Sequence, residues 1–309
     1  MSHTALVTGA RGFVGRHISH CLSNSGWQVI GLGHGCWNSD QAAQWGISQW
    51  FEGSVDLETL LAKNIQASLI VHCAGTSTVG RAYAAPLTAF RNTVSSTVDI
   101  LEYARRANSG SRVVYISSAA VYGVQTSSPI PENCLLLPIS PYGHFKAAAE
   151  QMCQTYAQAF GVEIVIVRPF SVYGPGQRKQ FLSDACRKVA AGEPYFSGSG
   201  REMRDWIHVS DVARLITAIA GAGPNIRSCL NAATGIGTDI HTIAALICCE
   251  MESAAQPVFL GRTNPGDPHD LIGTTAAASA LGWHPKISVE AGVRDYVHWY
   301  LSENPKDLR

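Results

Sequence analysis

Short runs of apolar residues alternate with longer helical segments over residues 1–170 of the chain. The strand-like runs are Ala5–Thr8, Val29–Ile30, Leu69–His72, Val113–Ile116 and Val162–Val167. Candidate helices lie between them at Phe13–Ser25, Leu57–Ala62, Pro86–Ala107 and Tyr142–Phe160. Strands that are apolar throughout are buried on both faces, and the intervening helices supply that cover. The pattern therefore predicts an α/β fold with a doubly wound parallel sheet.

Glycine and proline interrupt the chain after residue 170. The breaks at Gly174–Gly176, Gly192–Pro194, Gly198–Gly200 and Gly261–Pro268 leave room only for short elements between them. No flexible linker or low-complexity tract separates this part from the first. We expect a smaller second lobe that is joined closely to the sheet domain.

Composition and charge narrow the functional class. The chain has 309 residues, of which 46% are hydrophobic, and its 23 Lys and Arg balance its 23 Asp and Glu. This is typical of a globular protein and predicts no nucleic-acid partner. The apolar runs are far shorter than the ~20 residues that cross a bilayer, and the first residues do not resemble a secretory signal. We expect a cytoplasmic protein with no membrane partner.

The cysteines and histidines do not predict a metal site. The nine cysteines have irregular spacing and form no Cys-x-x-Cys pair, and the eleven histidines form no His-x-x-x-His pair. Cys248 and Cys249 are adjacent within an apolar helical pattern, so we interpret them as packing residues and not as a redox pair. We expect reduced thiols throughout.

A glycine motif follows the first predicted strand directly. Gly9, Gly12 and Gly15 form Gly-x-x-Gly-x-x-Gly where strand becomes helix. Such glycines permit a tight turn, a close approach to a pyrophosphate and close packing of helix on strand. The motif predicts a dinucleotide site of the Rossmann type, with NAD or NADP as cofactor.

The second predicted strand does not supply the acidic residue that usually bonds the adenosine ribose. The chain instead has Gly31-Leu32-Gly33-His34 at that point. Without a carboxylate the site does not repel a 2′-phosphate, so NADP is as plausible as NAD, with His34 or Arg11 as phosphate partners. The alternative is that no side chain at Gly33 binds the ribose and that water solvates it. Both interpretations remain open.

Three residues further along predict acid–base chemistry. Ser118 follows a predicted strand, and Tyr142 and Lys146 form Tyr-x-x-x-Lys on a predicted helix, one turn apart on one face. A nearby ammonium lowers the pKa of a phenol towards the working pH. Tyr142 is then a general acid or base at a carbinol or carbonyl, and Ser118 bonds the same oxygen. Lys146 is also expected to hold the nicotinamide ribose.

With these motifs the sequence resembles the extended short-chain dehydrogenase/reductase family, in its nucleotide-sugar epimerase, dehydratase and reductase branch. The resemblance runs nearly end to end. Its other matching segments are His72–Gly75, Arg168–Gln177, Arg204–Val212 and Leu281–Pro285.

The resemblance implies a Rossmann domain of residues 1–170 and 205–232, and a nucleotide-sugar domain of residues 171–204 and 233–309. It also implies hydride transfer, a nucleotide-diphosphate sugar as substrate and, by analogy, a homodimer formed through the helices at 86–107 and 142–160. The cofactor positions carried over are Gly9, Arg11, Gly12, Phe13, Val14, Gly15, His34, Ser54, Val55, Cys73, Ala74, Gly75, Tyr142, Lys146 and Pro169. The substrate positions carried over are Ser77, Ser118, Ser171, Arg204 and Arg262.

Two arginines have open alternatives. Arg204 matches the position where relatives hold the substrate diphosphate, but it is also placed to pair with Asp205 or Asp211. Arg262 is either a substitute for a second phosphate-binding arginine, since Asn264 occupies that position, or an exposed loop charge.

Other departures from the family pattern concern the pocket. Ser54 stands where relatives often have an aspartate that bonds adenine, Thr93 replaces an asparagine, and Ser171 replaces the asparagine after Arg-Pro-Phe. Family 4,6-dehydratases carry an acidic pair directly after the Ser or Thr, whereas this chain has Ala119 and Ala120. Dehydration is therefore disfavoured.

Two hydride chemistries remain. We expect a reductase of a 4-keto sugar that supplies an activated deoxy-sugar, because Gly235–Thr238 and Leu271–Gly273 are similar to GDP-4-keto-6-deoxy-mannose reductases. The alternative is a 4-epimerase that retains its NAD. A dinucleotide sensor without activity is disfavoured, since the tyrosine and lysine are both present.

Overall fold

The computed structural model describes residues 3–107, 110–224, 226–261 and 270–305. Its strands are β1 (Thr4–Thr8), β2 (Gln28–Gly33), β3 (Ile47–Glu52), β4 (Leu69–His72), β5 (Arg112–Ile116), β6 (Glu163–Pro169), β7 (Ser171–Tyr173), β8 (Tyr195–Phe196), β9 (Met203–His208), β10 (Cys229–Ala232), β11 (Gly237–Asp239), β12 (Val258–Phe259) and β13 (Asp270–Leu271). Its α-helices are α1 (Phe13–Asn24), α2 (Ser39–Gln44), α3 (Leu57–Lys63), α4 (Val79–Ala84), α5 (Pro86–Phe90), α6 (Ser96–Ala107), α7 (Pro141–Phe160), α8 (Gln180–Ala190), α9 (Val209–Gly221), α10 (Ile240–Glu250), α11 (Ala276–Ser279) and α12 (Val289–Glu303).

The main sheet has seven strands in the order β10-β6-β5-β4-β1-β2-β3, and every pair in it is parallel. Consecutive residues of a strand point to opposite faces of the sheet, and each face has its own apolar cluster. Val7 and Val114 belong to one apolar cluster, whereas Leu6 and Val113 belong to the other. Helices therefore cover both faces, and the predicted doubly wound α/β fold is confirmed.

Two parts of this domain differ from the prediction. The edge strand β3 was not predicted, because its sequence Ile-Ser-Gln-Trp-Phe-Glu is half polar and it pairs with β2 alone. The predicted helix at Pro86–Ala107 consists of α5, a π-helical turn at Arg91–Ser95 and α6. A π-helical turn has no signature in apolar periodicity and often occurs at functional sites.

The second part of the chain forms smaller sheets. β9 pairs with β7 and β13 in parallel and with β11 antiparallel, and β8 pairs with β12. Helices α8, α10 and α12 supply its apolar core through residues such as Leu182, Ile243 and Val297. The predicted assignment of residues to two domains stays a prediction, and β9 crosses its boundary between residues 204 and 205.

The cysteines are free thiols. Cys248 is buried in the α10 core, whereas its neighbour Cys249 is exposed on the same helix. Among the described residues, no group of three His, Cys, Asp or Glu side chains is placed to hold a metal ion. In the same part of the chain, no helix has the length and apolar character needed to span a membrane.

Candidate active site

A cavity of ≈ 1310 Å³ opens at the carboxyl ends of β1, β4, β5 and β6 and continues to β9. Arg262 lies outside the described residues. Every other predicted site residue lines this cavity: Gly9, Arg11, Gly12, Phe13, Val14, Gly15, His34, Ser54, Val55, Cys73, Ala74, Gly75, Ser77, Ser118, Tyr142, Lys146, Pro169, Ser171 and Arg204.

The glycine loop has the geometry that a dinucleotide requires. Gly9 has φ +66°, and an added Cβ there would lie 2.8 Å from the backbone nitrogen of Ala74. A Cβ on Gly15 would lie 2.4 Å from the carbonyl oxygen of Gly9. Gly12 is the N-cap of α1 and provides no side-chain cap, so the first N–H groups of the helix face the cavity without a side-chain acceptor. These features fit a bound pyrophosphate.

The adenosine end of the cavity carries Arg11 and His34 and no carboxylate among its described lining residues. A Cβ on Gly35 would lie 2.2 Å from a terminal nitrogen of Arg11, so that guanidinium lies across Gly35. One acidic residue that sequence reasoning missed is close by: Glu52 ends β3 in register with Gly33, and its carboxylate accepts a hydrogen bond from Cys36 at 3.3 Å.

The local sequence brings Ser118 and Tyr142 together. Ser118 caps a 3-10 helix at Ala119–Val121. Helix α7 begins at Pro141, after Ser140, whose hydroxyl accepts from the backbone N–H of Gly143 at 3.2 Å. A Cβ on Gly143 would lie 2.6 Å from the carbonyl oxygen of Ala120, so glycine permits the close approach of the two helices. The side chain of Ser118 lies next to that of Tyr142, and both line the cavity.

Lys146 is buried next to them. Its Nζ donates to the carbonyl oxygen of Ile116 at 2.7 Å and lies 4.9 Å from the centre of the Tyr115 ring. Burial lowers the pKa of Lys146 to about 8, and this is opposed by the nearby Cys73 and Glu150. Lys146 is therefore an ammonium at neutral pH, although its pKa is lower than that of an ordinary lysine.

The predicted lowering of the Tyr142 pKa is wrong. Burial raises the pKa of Tyr142 above that of an ordinary tyrosine, and the hydrogen bond with Ser118 lowers it by a smaller amount. The Nζ of Lys146 donates to the Ile116 carbonyl and lies over the Tyr115 ring, so burial has the larger influence on the pKa of Tyr142. Tyr142 therefore needs a nearby positive charge in order to act as a base.

Arg204 faces the cavity from β9, and its guanidinium donates to the carbonyl oxygen of Met203 at 2.9 Å. The two acids considered as its partners are occupied by other groups. The Asp205 carboxylate accepts from the backbone N–H groups of Thr234, Gly235 and Gly273, and Asp211 accepts from Arg214, Lys286 and Ile287. The phosphate-binding role of Arg204 stays a prediction.

Several lining residues were not singled out as site residues from the sequence, namely Arg91, Asn92, Arg178, Lys179 and Lys188. Arg91 and Asn92 are in the π-helical turn. Arg178 forms an ion pair with Glu303 and lies over the Trp299 ring. The basic pair Arg178-Lys179, one residue after the Gly-Pro-Gly turn, was the sequence signal that could have found these two residues.

Comparison with known proteins gives consistent matches over the whole chain. A UDP-glucose 4-epimerase of Azospirillum brasilense is 29% identical over 97% of this chain and 93% of that protein. The structure of MoeE5 in complex with UDP-glucuronic acid and NAD is 28% identical, with TM-score 0.86 over 97% of this chain and 99% of that one. A UDP-glucuronic acid 4-epimerase of Bacillus cereus, in complex with its sugar nucleotide and NAD, is 25% identical, with TM-score 0.87 and the same coverage.

The family assignment follows from a match to the family described as "NAD dependent epimerase/dehydratase family", which covers residues 5–229. This confirms the predicted enzyme class and the nicotinamide dinucleotide cofactor, which the geometry of the glycine loop independently fits. The chain belongs to the NAD dependent epimerase/dehydratase family of extended short-chain dehydrogenases/reductases.

Proposed function

We propose that the protein is a 4-epimerase of a nucleotide-diphosphate sugar and that it retains NAD through the catalytic cycle. The observation that carries the proposal is that Ser118, Tyr142 and the buried Lys146 line the same cavity as the glycine loop. The relatives supply the reaction class, because they are named 4-epimerases of UDP-sugars.

In the proposed mechanism Tyr142 takes one proton from the sugar and later gives it back. It first accepts the proton of the sugar 4-hydroxyl, while Ser118 bonds the same oxygen, and later returns the proton to the oxygen on the inverted carbon. The bound nicotinamide supplies a reversible two-electron couple and, when oxidised, one positive charge. Since burial raises the pKa of Tyr142, its phenolate needs the positive charge of Lys146 nearby during the first half.

The reductase interpretation from the sequence has weaker support. It rested on the glycine-containing segments at residues 235–238 and 271–273, and packing explains these glycines. A Cβ on Gly237 would lie 2.4 Å from the Cδ1 of Ile272, and one on Gly273 would lie 2.5 Å from the Phe170 ring. The resemblance in these segments is therefore accounted for without a reductase reaction.

The dehydratase reaction stays disfavoured, although the family description includes it. Ala119 and Ala120 line the cavity directly after Ser118 and carry methyl groups only. They provide neither the acid nor the base that elimination of water across C5 and C6 needs.

For the substrate we propose a UDP-hexose or UDP-hexuronic acid, with Arg204 at its diphosphate. The relatives named above support both sugars, and a guanidinium suits a diphosphate because it donates two parallel hydrogen bonds. The predicted homodimer and cytoplasmic location remain predictions.

Incubation of the purified protein with UDP-glucose or with UDP-glucuronic acid, without added cofactor, tests the proposal. We expect proton NMR to show conversion of at least one of them to its 4-epimer until the two epimers reach equilibrium. No conversion of either sugar by protein that carries NAD would contradict the proposed reaction.

A further inference from the structure

A buried ion pair lies behind the catalytic side chains and has no part in the chemistry described above. Glu150 and Arg168 are 0% and 3% exposed. The Nε of Arg168 lies 3.0 Å from Oε1 of Glu150, and one terminal nitrogen lies 2.6 Å from Oε2. The other terminal nitrogen donates to the Tyr122 hydroxyl and to the Glu132 carbonyl, both at 2.9 Å. Each of the three guanidinium nitrogens thus donates to a fixed acceptor.

This pair joins the segments that carry the catalytic groups. Glu150 follows Lys146 by one turn of α7, so both lie on one face of the helix. Its Oε1 also accepts a hydrogen bond from the Ser117 hydroxyl, directly before Ser118. Arg168 directly precedes Pro169, which lines the cavity at the end of β6. Glu150 therefore connects α7, the end of β5 and the end of β6 at a single carboxylate.

Glu150 is also a carboxylate that acts on Lys146. The groups that face Lys146 are His72 and Cys73 at the end of β4, Tyr115 of β5, and Glu150 and Cys153 of α7. Burial raises the pKa of Cys73 to about 12 and that of Cys153 further, and burial lowers the pKa of His72 to about 3. The thiols and the imidazole are uncharged near neutral pH, so the carboxylate is what offsets the burial of the ammonium.

We propose that Glu150, held by Arg168, is a positioning residue that fixes Ser118 and Lys146 relative to each other and keeps Lys146 protonated. The role is indirect, because Glu150 does not line the cavity. The kinetic part of this inference rests on the proposed function, whereas its electrostatic part concerns Lys146 alone.

The electrostatic part is tested by titration of Lys146 in Glu150→Gln and in the wild type. The chain contains six lysines, so a protein with ¹³C-labelled lysine gives a simple spectrum, in which Lys146→Met identifies the resonance. We expect the Lys146 resonance to titrate at lower pH in Glu150→Gln. The matched control is Glu163→Gln, which breaks the Arg112–Glu163 pair at the opposite ends of β5 and β6 and is expected to leave the titration unchanged.

The kinetic part is tested with the same two variants. For Glu150→Gln we expect kcat per folded molecule to fall by about tenfold or more, since a small misplacement of catalytic groups has effects of that size. KM is expected to change much less, because the groups that bind the nucleotide are untouched. Glu163→Gln is expected to keep both constants.

Glu150→Gln leaves Arg168 buried without a counter-charge, and this destabilises the folded protein. The second variant, Glu150→Gln with Arg168→Met, removes both charges and is expected to show a smaller lowering of the Lys146 titration, because the repulsion from Arg168 is removed as well. If Lys146 titrates as in the wild type in the folded variants, or if kcat per folded molecule is unchanged, the pair is structural only and the proposal is wrong. Absence of epimerisation by the wild type would instead refute the proposed function, and the titration would still decide the role of Glu150.

Discussion

The pKa of Tyr142 is the residue-scale property on which the proposed chemistry depends most. Burial raises it, and the hydrogen bond from Ser118 only partly compensates. A neutral phenol is ready to donate a proton in the second half of an epimerisation, whereas the first half needs a phenolate. The ammonium of Lys146, one turn away, is the protein's own source of positive charge for that half.

Tyr142→Phe removes the proton donor and keeps the ring. We expect turnover to fall by about 10²- to 10⁴-fold, which is the usual contribution of a positioned acid or base. The matched control is Tyr156→Phe on the same helix, whose hydroxyl contacts Glu102 and not the cavity. NMR rates with UDP-glucose and UDP-glucuronic acid, together with thermal unfolding, check the prediction. Retention of more than half the turnover by Tyr142→Phe would exclude Tyr142 as the acid or base.

Sequence spacing singled out the proposed catalytic residues because they lie at short, fixed distances from single elements. Tyr142 and Lys146 are one turn apart on α7, and Ser118 lies two residues after the end of β5. The spacing did not predict the direction in which the pKa of Tyr142 is shifted, because that direction depends on burial by other segments. Arg178 and Lys188 were missed for a related reason. Arg178 precedes α8 and Lys188 lies on it, so both reach the cavity only through the packing of α8 against α10 and α12.

At the scale of elements, glycines set how closely helices approach strands and loops. Gly15 lies in the first turns of α1, and its Cα faces the carbonyl of Gly9 with no space for a methyl group. Gly143 plays the same part where α7 meets the 3-10 helix after Ser118. Both contacts lie at the cavity, so the site depends on helices held close to the sheet.

Gly15→Ala is expected to prevent the tight loop, because the new Cβ would lie 2.4 Å from the Gly9 carbonyl oxygen. The variant should lose bound NAD and unfold at lower temperature than the wild type. Gly80→Ala on α4 is the control, since nothing lies within 4 Å of its added Cβ, and alanine favours a helix by about 1 kcal/mol over glycine. Cofactor content after denaturation and a melting curve give the result. Normal NAD content in Gly15→Ala would mean that the loop tolerates a side chain.

The elements that were predicted correctly are the apolar ones buried on both sides. The runs at β1, β4 and β5 are apolar because helices cover both faces of the sheet. β3 lies at the edge of the sheet and is half polar. A search for apolar runs therefore does not detect it. The π-helical turn within the predicted helix at Pro86–Ala107 changes the backbone hydrogen bonds and leaves the apolar spacing intact.

At the scale of the whole molecule, the fold buries titratable groups at the carboxyl ends of the sheet strands. Burial lowers the pKa of His72, at the end of β4, to about 3, and the positive charge of Lys146 lowers it further. An unfolded histidine titrates near ~6.5, so below that pH the unfolded chain binds a proton that the native protein does not. Stability is therefore expected to fall as pH decreases from about 6.5 towards 3.

His72→Asn should reduce this pH dependence. Each proton bound only by the unfolded chain contributes a slope of about 1.4 kcal/mol per pH unit, and the variant lacks one such proton. Denaturant unfolding at pH 6.0, 5.0 and 4.0, as values chosen within the window of about 3 to 6.5, measures the slope for both proteins. Asparagine can still accept from the Thr8 hydroxyl, which lies 2.7 Å from Nδ1 of His72. Equal slopes for the two proteins would show that His72 is not the group that titrates.

The most direct test of the whole account follows deuterium at C4 of the sugar. UDP-glucose and UDP-glucuronic acid labelled with deuterium at C4 are incubated with the protein without added cofactor, and the product is analysed by NMR and mass spectrometry. The account predicts a 4-epimer that keeps its deuterium at C4, because the same NAD stores and returns it within one active site. Loss of the deuterium to solvent, or turnover only when NAD(P)H is added and consumed, would contradict it.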